Sequence, residues 1–242
     1  YPMPSQEYHS KFYTEEYFSK GNDGMGFNNY LENKNIHFSN AKYIMNKLYK
    51  FRNNKGLLLD IGCAYGFLCD YARSLGWNAK GIDISGDAIM FAREKLHLDV
   101  IEGTIFSLEA SKNSFDVCTA IGVIDHLTDP FSIFHEVRRI LKPDGIFIMS
   151  AGDISGIFPF NWKIPEHLFY FSRKSLKLML QKTGFYVEDI SIFWVNFSIK
   201  EFSLRLNTYI KWLPIPRWFS QLPYSVKVPT NEILIVAKKI RL

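Results

Sequence analysis

Cysteine is scarce in this chain of 242 residues, and the three present, Cys63, Cys69 and Cys118, are odd in number and lack metal-ligand spacing. They read as free thiols in a reducing compartment, which excludes a fold built on disulfides. Long apolar runs are missing too. Nothing approaches the roughly 18 consecutive apolar residues of a membrane span, so no helix is expected to cross a bilayer. No signal peptide is visible, and the chain opens on Tyr1 rather than Met, as a trimmed chain would. Charge of one sign is likewise in short supply. Lys and Arg number 29 against 24 Asp and Glu, a formal net charge of +5. These charges form no basic stripe and no nucleic-acid motif occurs, so nucleic acid is not an expected partner. Aromatic residues are abundant at 16%, enough to wall an apolar pocket or build a docking face. The length suits one sizeable domain with additions.

From Gly56 onward, short apolar runs alternate with amphipathic stretches. Strands are expected at Gly56–Ile61, Ala79–Asp83, Leu98–Ile101, Phe115–Ile121, Ile146–Ser150, Phe185–Ile192 and Ile233–Ala237. Helices are expected over residues 37–51, over Phe67–Leu75, after a Ser85 cap, over Pro130–Leu141 and over Ser172–Lys182. In the second of these, Leu68, Tyr71, Ala72 and Leu75 share one face. Gly76, the turn Lys142–Gly145 and Gly184 supply stops. Strand and helix in alternation predict an α/β fold: a mostly parallel sheet with helices on both faces.

The sharpest signal is the stretch Leu57–Gly66, an apolar strand running into the turn Asp60-Ile61-Gly62-Cys63-Ala64-Tyr65-Gly66, which opens a helix. Glycine there allows a tight turn and close approach of a ligand to the backbone, and helix N–H groups then face it. Asp83 ends the second strand, where an acidic side chain can accept from both hydroxyls of a ribose. These features alone fit a nicotinamide dinucleotide as well as S-adenosylmethionine. The spacing Asp-x-Gly-x-x-x-Gly, rather than Gly-x-Gly-x-x-Gly, favours the latter. So does Asp60, which would repel a pyrophosphate but not the ammonium of a methionine.

With Gly81–Ser85, Asn113–Asp116, Ile124–Leu127 and Leu141–Gly145, the region from Gly56 to Ser150 resembles the class I S-adenosylmethionine-dependent methyltransferases. The likeness continues through Trp162, Pro165–Leu168 and Phe171-Ser172 to Gly184-Phe185. This extended pattern is similar to the small-molecule branch, of the type 11/12/23 kind. The resemblance implies a Rossmann-like sheet of seven strands with the last antiparallel, S-adenosyl-L-methionine as cofactor, no metal, and methyl transfer to a small molecule such as a sugar, polyketide, quinone or lipid-linked metabolite. One domain over 1–242 is expected, with a cap and helix at 1–50, a cofactor-binding core at 56–152, an acceptor-side loop at 153–171 and an aromatic insertion at 194–230. The implied setting is cytoplasmic and the implied state a monomer or homodimer. An inactive cofactor-binding scaffold is the alternative from another class. A nicotinamide-dependent oxidoreductase, disfavoured by the spacing of the glycine turn, is the enzymatic one.

Residue by residue, the resemblance carries cofactor binding onto Asp60, Gly62, Cys63, Ala64, Gly66, Asp83, Ile84, Thr104, Ile105, Ala120, Ile121 and Tyr30. Two departures stand out. Ala64 occupies a position where relatives often have glycine, and Gly103-Thr104 replaces a frequent Gly-Asp, so backbone near Ile105 is expected to hold the adenine. His167 is the candidate general base, since an imidazole titrates near neutrality; a loop histidine bonded to backbone is the plain reading beside it. His126 reads equally as a polar group near the reacting centre and as a structural histidine. Glu166 and Asp153 are weaker candidates for the base. Trp162 and Phe169 would wall the acceptor, and Tyr17, Phe18 and Tyr30 would close over the cofactor. The aromatic stretch 194–224 reads as an acceptor lid, a dimer surface or a patch for peripheral membrane contact.

Overall fold

Leu57–Ile61 forms the first strand, β1, and its side chains divide by the period of two that a pleated strand imposes. Leu59 and Ile61 face one apolar layer and Leu58 the other. A strand buried on both faces needs helices on both, and the chain supplies them. The computed structural model describes residue 18, residues 30–155 and 166–209, positions 216, 218, 221 and 222, and residues 224–241. In chain order these give α1 (Lys34–Leu48), β1, α2 (Phe67–Ser74), β2 (Asn78–Asp83), α3 (Gly86–Leu96), β3 (Asp99–Glu102), β4 (Phe115–Ala120), α4 (Pro130–Ile140), β5 (Leu141–Gly152), α5 (Arg173–Lys182), β6 (Phe185–Ser198), α6 (Ile199–Tyr209) and β7 (Ser225–Lys239).

The seven strands lie in the order β3-β2-β1-β4-β5-β7-β6. The first five pair in parallel, and β7 runs antiparallel between β5 and β6. Residues from α1, α2 and α3 pack with Leu58, Val117 and Ile148 on one face. Those of α4 and α5 pack with Leu59, Phe147 and Met149 on the other. This is the Rossmann-like architecture that the alternation and the resemblance imply.

Several boundaries differ from the sequence-based expectation. Helix α1 begins at Lys34 and ends at Leu48, three residues earlier than expected, because Ala41, Ile44, Met45 and Leu48 are the buried face. Phe51, the last residue of the expected helix, is exposed beyond the helix end. The pairing of β4 with β5 starts at Phe115 and Leu141, breaks over the turn at 142–145, and resumes at Val117 and Ile146. The largest difference lies at the sheet edge. Strands β6 and β7 run well past Ile192 and begin well before Ile233, pairing out to Ser198 with Ser225. Mixed polar and apolar residues there hide the strand signal, but backbone pairing in a two-stranded ribbon continues regardless of side-chain type. The stretch 194–230 therefore starts and ends as strand, with α6 between. Its Trp212, Pro214, Phe219 and Pro223 lie outside the described residues, as do Tyr17 and Trp162.

Candidate active site

Strand β1 ends at the carboxyl edge of the sheet and the chain turns at once. Gly62, Ala64 and Gly66 all take left-handed conformations, with φ of +71°, +46° and +77°. The N–H groups of Gly62 and Cys63 both donate to the Ile82 carbonyl, at 2.8 and 3.1 Å, so the turn is tied to β2. A Cβ on Gly62 would stand 2.3 Å from Val123 Cγ2; space as well as φ requires glycine there. Ala64 holds its left-handed geometry with a side chain present, at about 1–2 kcal/mol, and a hydrogen bond offsets it. Asp83 Oδ2 accepts the Ala64 N–H at 2.8 Å, while Oδ1 accepts the Ser85 N–H at 2.9 Å. One carboxylate thus fastens the glycine turn to the start of α3. Burial pushes its pKa up, against the opposing pull of the Ser85, Ala64 and Ile84 N–H groups.

These elements open onto a cavity of about 920 Å³. On the β2–β3 side its wall includes Gly62, Ala64, Asp83, Ile84, Thr104 and Ile105. Thr104 precedes a 3-10 turn, Ile105–Leu108, in which Ser107 Oγ accepts the Thr104 N–H at 2.9 Å. Tyr30 and Phe18 form the roof, edge-on to each other at 5.6 Å. Burial first, and then the charges of Asp60 and Asp83, drive the Tyr30 phenol pKa upward, so the group stays protonated. On the β4 side stand Ile121, His126 and His167. The 3-10 turn Ile124–His126 follows β4 and is laced to the later crossing by backbone bonds. The Asp125 carbonyl accepts from Leu168 N–H at 2.8 Å and from Phe169 N–H at 3.1 Å. The Asp125 carboxylate accepts Gly152 N–H at 2.9 Å. His126 Nδ1 lies 3.1 Å from the Glu166 carbonyl oxygen. A carbonyl can only accept, so this nitrogen carries a proton, and in the neutral ring Nε2 then holds the lone pair. The rings of His126 and His167 meet edge-on at 4.7 Å.

Not every residue singled out from the sequence reaches the cavity wall. Asp60 is buried, with Oδ1 accepting from Thr119 Oγ1 at 2.6 Å, and desolvation raises its pKa to about 7. Cys63 is buried in the core, packed with Cys69 and Ala79, and Gly66 caps α2 against Leu98 and Ala92. Ala120 is buried in the opposite apolar layer. Phe169 packs on that layer and stacks on Phe171 at 5.9 Å, away from the cavity. Asp153 is a strut: burial would raise its pKa, but Ser155 and Arg173, the latter with Nε 2.8 Å away, hold it below the usual range. The wall also includes Phe106 and Glu232, which sequence reasoning missed. Phe106 could have been found beside Ile105. Glu232 could not, since it arrives through the antiparallel pairing of β7 with Gly152 of β5.

Residues 59–149 match the family model described as a methyltransferase domain. That match takes in the glycine turn, Asp83, the strands β2 to β4 and most of β1 and β5. A ubiquinone biosynthesis O-methyltransferase of Glaesserella parasuis serovar 5 (strain SH0165) is 33% identical over 104 residues, 39% of this chain and 44% of the relative. That of Actinobacillus pleuropneumoniae serotype 7 (strain AP76) is 31% identical over 131 residues, 49% of this chain and 55% of the relative. The chain thus spans about half the length of the curated relatives it matches. Among solved structures, a SAM-dependent methyltransferase from Archaeoglobus fulgidus superposes with a TM-score of 0.62 at 18% identity, over 87% of this chain and 99% of that one. The Haemonchus contortus phosphoethanolamine N-methyltransferase 2 in complex with S-adenosyl-L-methionine gives 0.58 at 21% identity, over 83% and 53%. At these identities the structural likeness speaks for the fold.

Proposed function

We propose that the chain binds S-adenosyl-L-methionine in the cavity and transfers its methyl group to a hydroxyl of a small molecule. The observation that carries this reading is the Asp83 carboxylate, held by the Ala64 and Ser85 N–H groups at the mouth of a left-handed glycine turn. Each of its oxygens keeps acceptor capacity beyond its backbone bond, as two neighbouring ribose hydroxyls require. Gly62 admits close approach to the backbone, and Thr104, Ile105 and Phe106 offer a wall for a base. When bound, the cofactor supplies a methyl group on a sulfonium, which needs no further activation. The protein's task is then to align the acceptor and let its proton go. The side of the cavity bearing His126 and His167 is assigned to that task. Relatives named as ubiquinone biosynthesis O-methyltransferases favour a phenolic or quinol hydroxyl as acceptor. Among the described residues no helix is long and apolar enough to cross a membrane; a cytoplasmic setting belongs to the same proposal.

Isothermal titration tests the reading. The chain should bind S-adenosylhomocysteine and ignore nicotinamide dinucleotides. Binding of the dinucleotide with no response to S-adenosylhomocysteine would overturn it. Binding of S-adenosylhomocysteine without turnover on any phenolic or other hydroxyl acceptor would leave a cofactor-binding scaffold.

A further inference from the structure

The second titratable cluster in the cavity wall does not need the cofactor to explain it. His126, Glu166 and His167 each present a donor atom within 4.8 Å of the other two. Glu166 and His167 are buried, and His126 is partly so. We infer that these three side chains form a binding site for a divalent first-row transition metal ion, on the β4 side of the cavity.

The donor set is two imidazoles and one carboxylate. Nitrogen donors disfavour magnesium and calcium, which prefer all-oxygen shells, and suit zinc, cobalt, manganese or iron. Three protein ligands leave at least one coordination position for water or an acceptor oxygen, as catalytic sites require. The tautomer also fits. The Nδ1–H of His126 donates to the Glu166 carbonyl, which leaves Nε2 as the metal-binding lone pair. A ligating histidine commonly has its second nitrogen fixed by a backbone carbonyl in this way. The two segments are held together without any ion, by the bonds from Leu168 N–H and Phe169 N–H to the Asp125 carbonyl. Donors about 2.0–2.2 Å from one tetrahedral metal stand about 3.3–3.6 Å apart. From separations within 4.8 Å, the three side chains therefore draw together by up to about 1.5 Å on binding, which rotation about their own torsions supplies.

The use of such an ion rests on the methyl-transfer reading, whereas its binding does not. An acceptor hydroxyl in the open position would have its pKa lowered by the metal. Its proton would pass to solvent, a C–O bond would form as the C–S bond breaks, and the sulfur would leave as a neutral thioether. Proton loss would then be the work of the ion rather than of an uncoordinated imidazole.

The experiment is titration of the metal-stripped chain with Co(II), followed by d–d absorption and by dialysis with metal analysis, in the absence of cofactor. One ion per chain is expected, with visible bands of a nitrogen- and oxygen-ligated site. Glu166→Gln and His126→Gln should each weaken uptake at least tenfold while the folded circular dichroism spectrum is kept. Co(II) should raise the Tm of the wild type and not of the variants. No stoichiometric uptake by the wild type overturns the inference, as does equal uptake by both folded variants. A parallel titration with S-adenosylhomocysteine in chelator separates the two readings. Its failure with metal uptake intact sinks the cofactor assignment alone.

Discussion

Asp83 has one duty that its hydrogen bonds show and a second that the proposed function gives it. Read from the sequence, it is a ribose acceptor at a strand end. In the structure it also accepts the N–H groups of Ala64 and Ser85. Asp83→Ala should therefore do more than weaken the ligand. Loss of charge-assisted bonds to two hydroxyls, worth about 1.5–3 kcal/mol, lowers cofactor affinity by roughly ten- to a hundredfold. Two backbone donors also lose their partner, and the unliganded protein should lose about 1–3 kcal/mol of stability. Calorimetric titration with S-adenosylhomocysteine and a denaturant melt check the two parts. An unchanged dissociation constant in the folded variant would remove Asp83 from the cofactor site. Asp116 teaches a complementary lesson. It belongs to a sequence landmark of the resemblance, yet it takes Leu57 N–H, Lys142 Nζ and Arg52 Nη2 at 2.9, 2.8 and 2.7 Å. It binds β1 to β4 and to the turn after α4, and is not part of the cavity wall.

Among the elements, α1 and the long β6–β7 ribbon depend on each other. Asn40 on α1 bonds Asn196 on β6 three times: Oδ1 accepts from Asn196 N–H at 2.8 Å and from Nδ2 at 3.0 Å, and Nδ2 donates to the Asn196 carbonyl at 3.3 Å. Lys47 reaches Asp189 at 2.6 Å, and Tyr43 stacks on Phe193 at 5.9 Å. The amide pair gives the ribbon's edge the hydrogen bonds that a further strand would have supplied. Asn40→Ala leaves the part-buried Asn196 backbone short of partners, and should cost about 1–3 kcal/mol in a urea melt. Hydrogen exchange should quicken at 194–198 ahead of β1 or β4. Uniform exchange across the sheet would show that the ribbon does not rely on α1.

For the whole molecule, two buried groups set opposite pH dependences. Asp60, raised to about 7 by burial, is protonated in the folded chain where it is ionised in the unfolded one. Its contribution to stability is lost as pH rises from about 4 to about 7. His37, lowered to about 4 by burial, stays neutral in the fold where the unfolded chain binds a proton. Its contribution grows as pH rises from about 4 to about 6.5. Each slope is roughly 1.4 kcal/mol per pH unit, so the pair nearly cancels, with Asp83 adding to the direction of Asp60. Substitution should uncouple them. His37→Phe should become less stable as pH rises across this window, and Asp60→Asn more stable. Urea midpoints at several pH values between about 4 and 7 decide it; parallel profiles for the two variants would refute the assignment.

The order of strands and helices, the left-handed turn after β1 and the acid ending β2 were all legible in the sequence. Each rests on local rules: period-two and helical burial patterns, glycine where φ is positive, and short spacings along one segment. Twelve of the singled-out residues meet in the cavity wall, because strand ends in an open parallel sheet converge on one edge. Only the tertiary structure decided the rest. Asp60 and Cys63 sit within the turn, but period-two geometry and close packing bury their side chains. Glu232 comes to the wall from the far end of the chain. His126 and Glu166 are forty residues apart and become partners only when β5 returns the chain past β4. Such pairings follow from sheet order and register, which are set by the packing of the whole core and leave no mark in the local sequence.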